Sequence, residues 1–186
     1  MKSEKLSFNI IQFKNKLEKH QHLFEEITIP RKTVLLREGE ISQQFFIVKQ
    51  GALRLWANKN GEDITSRFCF ENEAVSSFFG NEPSMLTIES LEPSTIIILK
   101  ITDFKMLLDT MPEYKDEFIE LLIKLVGDYA KLFFSHITKT PEERYIDMMN
   151  NNPEILLRVP QHYIATYLGV TPVSLSRIRN RVMKIS

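Results

Sequence analysis

The chain contains little that redox, metal or membrane chemistry would use. It has one cysteine, Cys69, which rules out an internal disulfide and a multi-cysteine zinc or iron–sulfur site within one chain. Cys69 is expected to be a small buried apolar residue in a strand. The four histidines are His20, His22, His136 and His162, with none between Leu23 and Phe134. A metal enzyme built on a small β-barrel needs imidazoles clustered with a carboxylate inside the barrel. His20 and His22 stand two apart on an expected helix and so point to different faces. There is no Gly-x-Ser-x-Gly elbow, no phosphate-binding loop and no nucleophile–base pair by motif. No metal, cofactor or catalytic residue is therefore expected, and the chain reads as a non-enzyme. No apolar run approaches the roughly 20 residues of a membrane span, and the polar first residues lack a signal-peptide core. The expected location is cytoplasmic, with no membrane partner.

What is present is concentrated at the end. The net charge is zero over 186 residues, with 24 basic and 24 acidic side chains. From Pro153 onward there are five basic residues (Arg158, Arg177, Arg179, Arg181, Lys184) against one acid, Glu154. A basic end on an acidic body suits a nucleic-acid partner. Counting from Gln161, Ala165 stands fifth, Gly169 ninth, Leu175 fifteenth and Ile178 eighteenth. A small fifth residue lets two helices cross closely, and a ninth-position glycine suits a left-handed turn. The other two lie three apart on one helical face and point to a core. Thr171 is a good N-cap and Pro172 a good first helical residue. The pattern predicts a helix-turn-helix whose second helix enters a DNA major groove. The candidate DNA-binding residues are Thr171, Pro172, Val173, Ser174, Ser176, Arg177, Asn180, Arg181 and Lys184.

Upstream, helical spacing over residues 8–24 suggests a leading helix. From Ile27 to Lys100 the chain reads as short β-rich runs: Thr33–Arg37, Phe45–Lys49, Ala52–Ala57, Ile64–Phe70, Ala74–Phe78, Met85–Leu91 and Thr95–Ile101. Turn signals such as Gln50-Gly51 and Asn58-Lys-Asn-Gly61 separate them, which argues for an antiparallel sandwich or barrel-like roll. Thr102-Asp103 is placed to cap a short helix ending at Asp109. Pro112–Ile137 then carries two adjacent apolar stripes. Phe118, Leu122, Leu125, Tyr129, Leu132 and His136 form one; Ile119, Ile123, Val126, Ala130, Phe133 and Ile137 form the other. One stripe is expected to cover the β-domain and the other a twin helix in a parallel homodimer. Phe118, Leu122, Leu125, Tyr129, Leu132 and His136 are the candidate dimer interface. Thr140-Pro-Glu-Glu143 is a capping box that starts a new helix with Tyr145, Ile146, Met148 and Met149 inward. Leu156–Pro160 reads as an extended connector.

A β-roll, a long pairing helix and a helix-turn-helix, in that order, resemble the Crp/Fnr family of transcription regulators over nearly the whole chain. Arg37–Trp56 is similar to the strand–turn–strand of cyclic-nucleotide-binding domains, and Val159–Arg179 to the family's helix-turn-helix. The resemblance implies an α+β fold: a double-stranded β-helix roll over 1–111, a dimerisation helix over 112–138 and a DNA-binding unit over 139–186. Arg177 matches the family's base-reading arginine by its distance from the turn glycine, while Pro172 and Val173 replace a charged or polar pair. Nucleotide-binding members carry Gly-Glu for the ribose and, a few residues on, an arginine for the phosphate. Here Ser76 and Ser77 stand at the first pair and Ser84 or Met85 at the arginine. Without that cation a phosphate would be left unpaired, so no cyclic-AMP response is expected. Ser76, Ser77, Phe78, Ser84 and Met85 remain a candidate pocket for a less charged effector, or for none.

The resulting expectation is a homodimeric regulator bound to double-stranded DNA at an inverted-repeat operator, with RNA polymerase as a further partner and an unknown small-molecule effector or none. The alternative is a ligand-sensing roll whose helix-turn-helix is vestigial or binds protein.

Overall fold

The computed structural model describes residues 18–76 and 82–185. Eight strands follow a 3-10 segment at Glu18–Leu23: β1 (Phe24–Ile29), β2 (Val34–Leu36), β3 (Gln44–Gln50), β4 (Leu53–Lys59), β5 (Glu62–Cys69), β6 (Ala74–Ser76), β7 (Thr87–Ser90) and β8 (Ser94–Lys100). They pair antiparallel in two four-stranded sheets, ordered β1-β8-β3-β6 and β2-β7-β4-β5. Helices α1 (Ile101–Thr110), α2 (Glu113–Thr138), α3 (Pro141–Asn151), α4 (Pro153–Arg158), α5 (Gln161–Leu168) and α6 (Pro172–Ile185) follow.

Alternation within strands builds the roll. Leu53 and Leu55 face inward with Phe46, Val48, Cys69, Val75, Ile88 and Ile96. Burial pushes the Cys69 thiol up to about 12, so it stays neutral and unreactive. β8 has no polar face because both sides are covered. Ile96 lies in that interior, while Ile97 and Leu99 pack with Phe24, Ile47, Phe104 and Leu107 on the outside. At about 1.5–3 kcal/mol per fully buried aliphatic side chain, these two layers carry most of the roll's stability. Asn60 and Gly61, with φ of 57° and 89°, make the two-residue turn between Lys59 and Glu62 that joins β4 to β5. Gly51 is required for a different reason: a Cβ there would lie 2.3 Å from the Ser94 Oγ.

Three expectations are corrected, and a fourth is met as far as the described residues reach. Within the described residues the leading helix is absent; residues 18–23 are 3-10, and Phe24 opens β1, which runs against β8 from Phe24↔Leu99 to Ile29↔Ser94. Residues 8–17 lie outside the described residues. Ile101 belongs to α1, not to β8, and the cap position is Lys100 with no side-chain cap, so Thr102 and Asp103 sit inside the first turn. Of the extended connector expected over Leu156–Pro160, only Val159 and Pro160 are extended, because Pro153 at the first helical position starts the short helix α4, which runs to Arg158. Of the strand expected over Ala74–Phe78, residues 74–76 form β6, and Ser77 and Phe78 lie outside the described residues.

The capping box is formed in full: Glu143 N donates to the Thr140 hydroxyl, and the Glu143 carboxylate accepts from Thr140 N at 2.8 Å. The bonds that this carboxylate accepts from the Thr140 backbone N–H and hydroxyl hold it below its ordinary range. The helices from α3 onward are not a separate body. Tyr145, Met148, Val159, Ile164, Ala165, Leu168, Leu175, Ile178 and Val182 share one buried cluster with Ala52, Phe68, Phe70 and Leu91 of the roll.

Candidate nucleic-acid interface

The final two helices are set by their turn. Gly169 adopts φ 68°, and Val170 N bonds back to the Ala165 carbonyl at 3.0 Å, closing the end of α5 in a Schellman-type turn. Arg144 from α3 donates to the Leu168 carbonyl at 2.7 Å, satisfying another free end of α5. Thr171 caps α6 by accepting from Ser174 N at 3.2 Å, and its hydroxyl also donates to the Ser174 hydroxyl. Ala165 is fully buried where the helices cross, and Leu175, Ile178 and Val182 anchor one face of α6.

The opposite face of α6 carries Val173, Ser176, Arg177, Asn180 and Lys184, all exposed. Their spacing of three, four and seven places them along one stripe. Arg177 makes no hydrogen bond or ion pair among the described residues, so its guanidinium fork is free. Pro172 lies beside the stripe at the leading end. Ser174 and Arg181 fall on the flank nearest α3. There Arg181 is held by Glu142, with Nε donating to Oε2 at 2.9 Å. Seven of the nine residues expected at the interface therefore share an accessible surface or its leading edge, whereas Ser174 and Arg181 are engaged internally.

Arg158 is the second basic residue drawn away from that surface. It donates to both oxygens of Glu71 at 2.8 Å, reaches Glu92, and lies over the Phe70 ring at 4.9 Å. The hydrogen bond from Arg158 holds the Glu71 carboxyl down to about 2. A second contact between the roll and α5 surrounds Arg54, whose side chain is wholly buried. Its Nε donates to Thr65 at 2.9 Å, its guanidinium lies 3.9 Å from the Tyr163 ring centroid, and Thr65 bonds Thr166 at 2.7 Å. Burial, then the charges of Arg54, Arg31 and Lys32, hold His162 below its ordinary value. Sequence reasoning missed Arg54 and Arg158, since a charged residue in a strand or a linker ordinarily signals solvent.

Of the candidate effector residues, Ser76, Ser84 and Met85 are described. The Ser76 hydroxyl donates to the Gln44 carbonyl at 2.9 Å and that of Ser84 to the Leu86 carbonyl at 2.7 Å. Met85 is 65% exposed. Ser77 and Phe78 lie outside the described residues. Arg67 on β5 pairs with Glu73 at 2.7 Å and donates to the Tyr129 hydroxyl at 3.2 Å. Among the described residues, no group of His, Cys, Asp and Glu is placed to hold a metal ion, and no helix is long and apolar enough to cross a membrane.

On α2 the two stripes differ in their contacts. Phe118 packs edge-on against Phe104 at 4.7 Å, Tyr129 meets Arg67, and the His136 ring lies 6.0 Å from Tyr167. These three residues of the expected dimer stripe thus contact their own chain; Leu132 is half-buried and Leu122 exposed, and the Leu125 side chain lies outside the described residues. The neighbouring stripe is bare: Ile123 is 67%, Val126 68% and Phe133 65% exposed.

Residues 26–111 match the cyclic nucleotide-binding domain family. No curated protein matches the sequence. Among solved structures, a CooA mutant from Carboxydothermus hydrogenoformans aligns with a TM-score of 0.76 at 18% identity, covering 96% of this chain and 86% of that one. FixK2 from Bradyrhizobium japonicum aligns with a TM-score of 0.73 at 15% identity, covering 87% and 85%. The c-di-GMP responsive global regulator CLP of Xanthomonas campestris aligns at 0.69 and 12% identity, covering 91% of each chain. At such identities the likeness speaks for the fold, and it spans roll, long helix and terminal helix pair together. Residues 26–111 thus match the cyclic nucleotide-binding domain family, in a chain that shares its fold with regulators of the Crp/Fnr family.

Proposed function

We propose that the protein is a homodimeric, sequence-specific DNA-binding transcription regulator that does not respond to cyclic AMP. The observation that carries this reading is the outer face of α6, where Arg177 stands free between Val173, Ser176 and Asn180 with no acidic side chain on the helix. Such a helix fits a major groove, where a bidentate arginine reads guanine through O6 and N7. Residues 1–111 act as the sensor unit, 112–138 as the pairing helix and 139–186 as the DNA-binding unit.

Two subunits pair in parallel along α2 through Ile119, Ile123, Val126, Ala130, Phe133 and Ile137. The 4-3-4-3-4 spacing of this bare stripe supports a coiled-coil seam, and the small Ala130 allows close approach. Two-fold symmetry then presents the two α6 helices to half-sites about 34 Å apart on an inverted repeat. Lys184 and Arg179 neutralise phosphates. Indifference to cyclic AMP follows from Ser84 and Met85, neither of which supplies a cation to a phosphate.

The test is selection of bound duplexes from a random library by the purified protein, with a salt titration. An inverted-repeat consensus containing guanine in each half-site is expected. Equal retention of selected and random duplexes removes the reading.

A further inference from the structure

We propose that Val173 reads a thymine in each half-site through its C5 methyl group, about two base pairs from the guanine bonded by Arg177. The inference rests on α6 being a major-groove helix and names the base chemistry that its leading end accepts.

The side chains of Thr171, Pro172 and Val173 have little hydrogen-bonding capacity to offer a base edge. Pro172, the first helical residue, has no N–H. The Thr171 hydroxyl accepts from Ser174 N and donates to the Ser174 hydroxyl, so both groups are engaged in the cap. Val173 is 62% exposed and points outward with Arg177, one helical turn on, while the anchoring side chains Leu175, Ile178 and Val182 face the other way. The surface presented at this end is an isopropyl group beside a pyrrolidine ring.

In the major groove, thymine alone offers an apolar feature, its C5 methyl; cytosine shows an amino donor, adenine a donor and an acceptor, and guanine two acceptors. A valine laid against any of the other three strips water from a polar group and replaces it with nothing, which is unfavourable. Against thymine it buries two apolar groups together. Four residues of helix advance about 6 Å, close to two base-pair steps of about 3.4 Å, which sets the spacing from the guanine.

The test uses the selected operator duplex, full-length wild-type protein and Val173→Ala. Wild type should prefer thymine at this position. Replacing that thymine by deoxyuridine, which deletes only the methyl, should weaken wild-type binding about fourfold per half-site, the worth of one methyl group withdrawn from water. 5-Methylcytosine there should outbind cytosine. Val173→Ala should bind the thymine and deoxyuridine duplexes within about twofold of each other. Val173 is exposed at a helix start, and unchanged circular dichroism of the variant checks its fold. If wild type binds thymine and deoxyuridine duplexes equally, or if Val173→Ala keeps the full deoxyuridine penalty, the inference is wrong and the regulator reading stands. If no duplex is preferred over any other, both are wrong.

Discussion

Ser176 on α6 and Ser76 and Ser84 of the roll carry the same hydroxyl, yet the fold uses them in opposite ways. Ser176 stands on the solvent face of α6, one residue before Arg177, with its neighbours' burial decided by helical period alone. Ser76 and Ser84 turn their hydroxyls onto the Gln44 and Leu86 carbonyls and so finish the main-chain hydrogen bonding of the roll. A single helix converts spacing directly into a surface. A pocket depends on where distant strands place their ends, and there a polar side chain is as readily taken by an orphan carbonyl as by a ligand.

The contrast can be broken or sharpened by substitution. The largest effect is expected on α2, which lies between the two regions. Val126→Lys places an uncompensated charge in the proposed seam at a cost of roughly 3–5 kcal/mol. Sedimentation should then report monomers, and half-site spacing should lose its influence on DNA affinity. A dimer unaffected by the lysine means that the pairing surface lies elsewhere. Next, Leu175→Ala removes a wholly buried anchor of α6 and should lower unfolding stability by about 2–5 kcal/mol in denaturant titration. The third test compares two arginines of one helix. Arg177→Ala should cost about 1–3 kcal/mol in operator binding and relax discrimination at one base pair, because its fork is free. Arg181→Ala should cost less than about 1 kcal/mol, since Glu142 already holds that guanidinium. Equal losses at the two positions would mean that Glu142 does not withhold Arg181 from DNA.

The smallest effect tests the bridge from the roll to the helical end. Glu71 has a depressed folded value, so its contribution to stability is present above the ordinary carboxylate range and is lost as pH falls toward about 2. Melting temperature should drop between about pH 4.5 and pH 2 more steeply in wild type than in Glu71→Gln. Parallel curves would mean that the Arg158 bridge adds nothing.

How much of this was legible follows the same contrast. The Thr140 capping box, the left-handed Gly169 and the Asn60-Gly61 turn are local features, and each formed as its residues dictate. β1 was hidden because Glu25, Glu26 and Thr28 face solvent and Phe24, Ile27 and Ile29 do not alternate regularly between them. α4 is six residues long, too short for any period to register. The two stripes of α2 differ by one residue and have identical spacing. The stripe that faces inward depends on the rotation of α2 about its axis, set by Phe104 and by Arg67, the latter some sixty residues away. The internal engagement of Arg54, Arg67 and Arg158 is equally remote: each meets partners contributed by another part of the chain.

Because Ala52, Phe68, Phe70 and Leu91 lie in one apolar cluster with Leu168, Leu175 and Ile178, severing the chain near Thr138 would strip cover from both fragments at once. Each piece expressed alone would present a sticky, half-finished wall where the other belongs. Truncated fragments should therefore precipitate or cling to each other, and mixing them should restore solubility that neither has by itself.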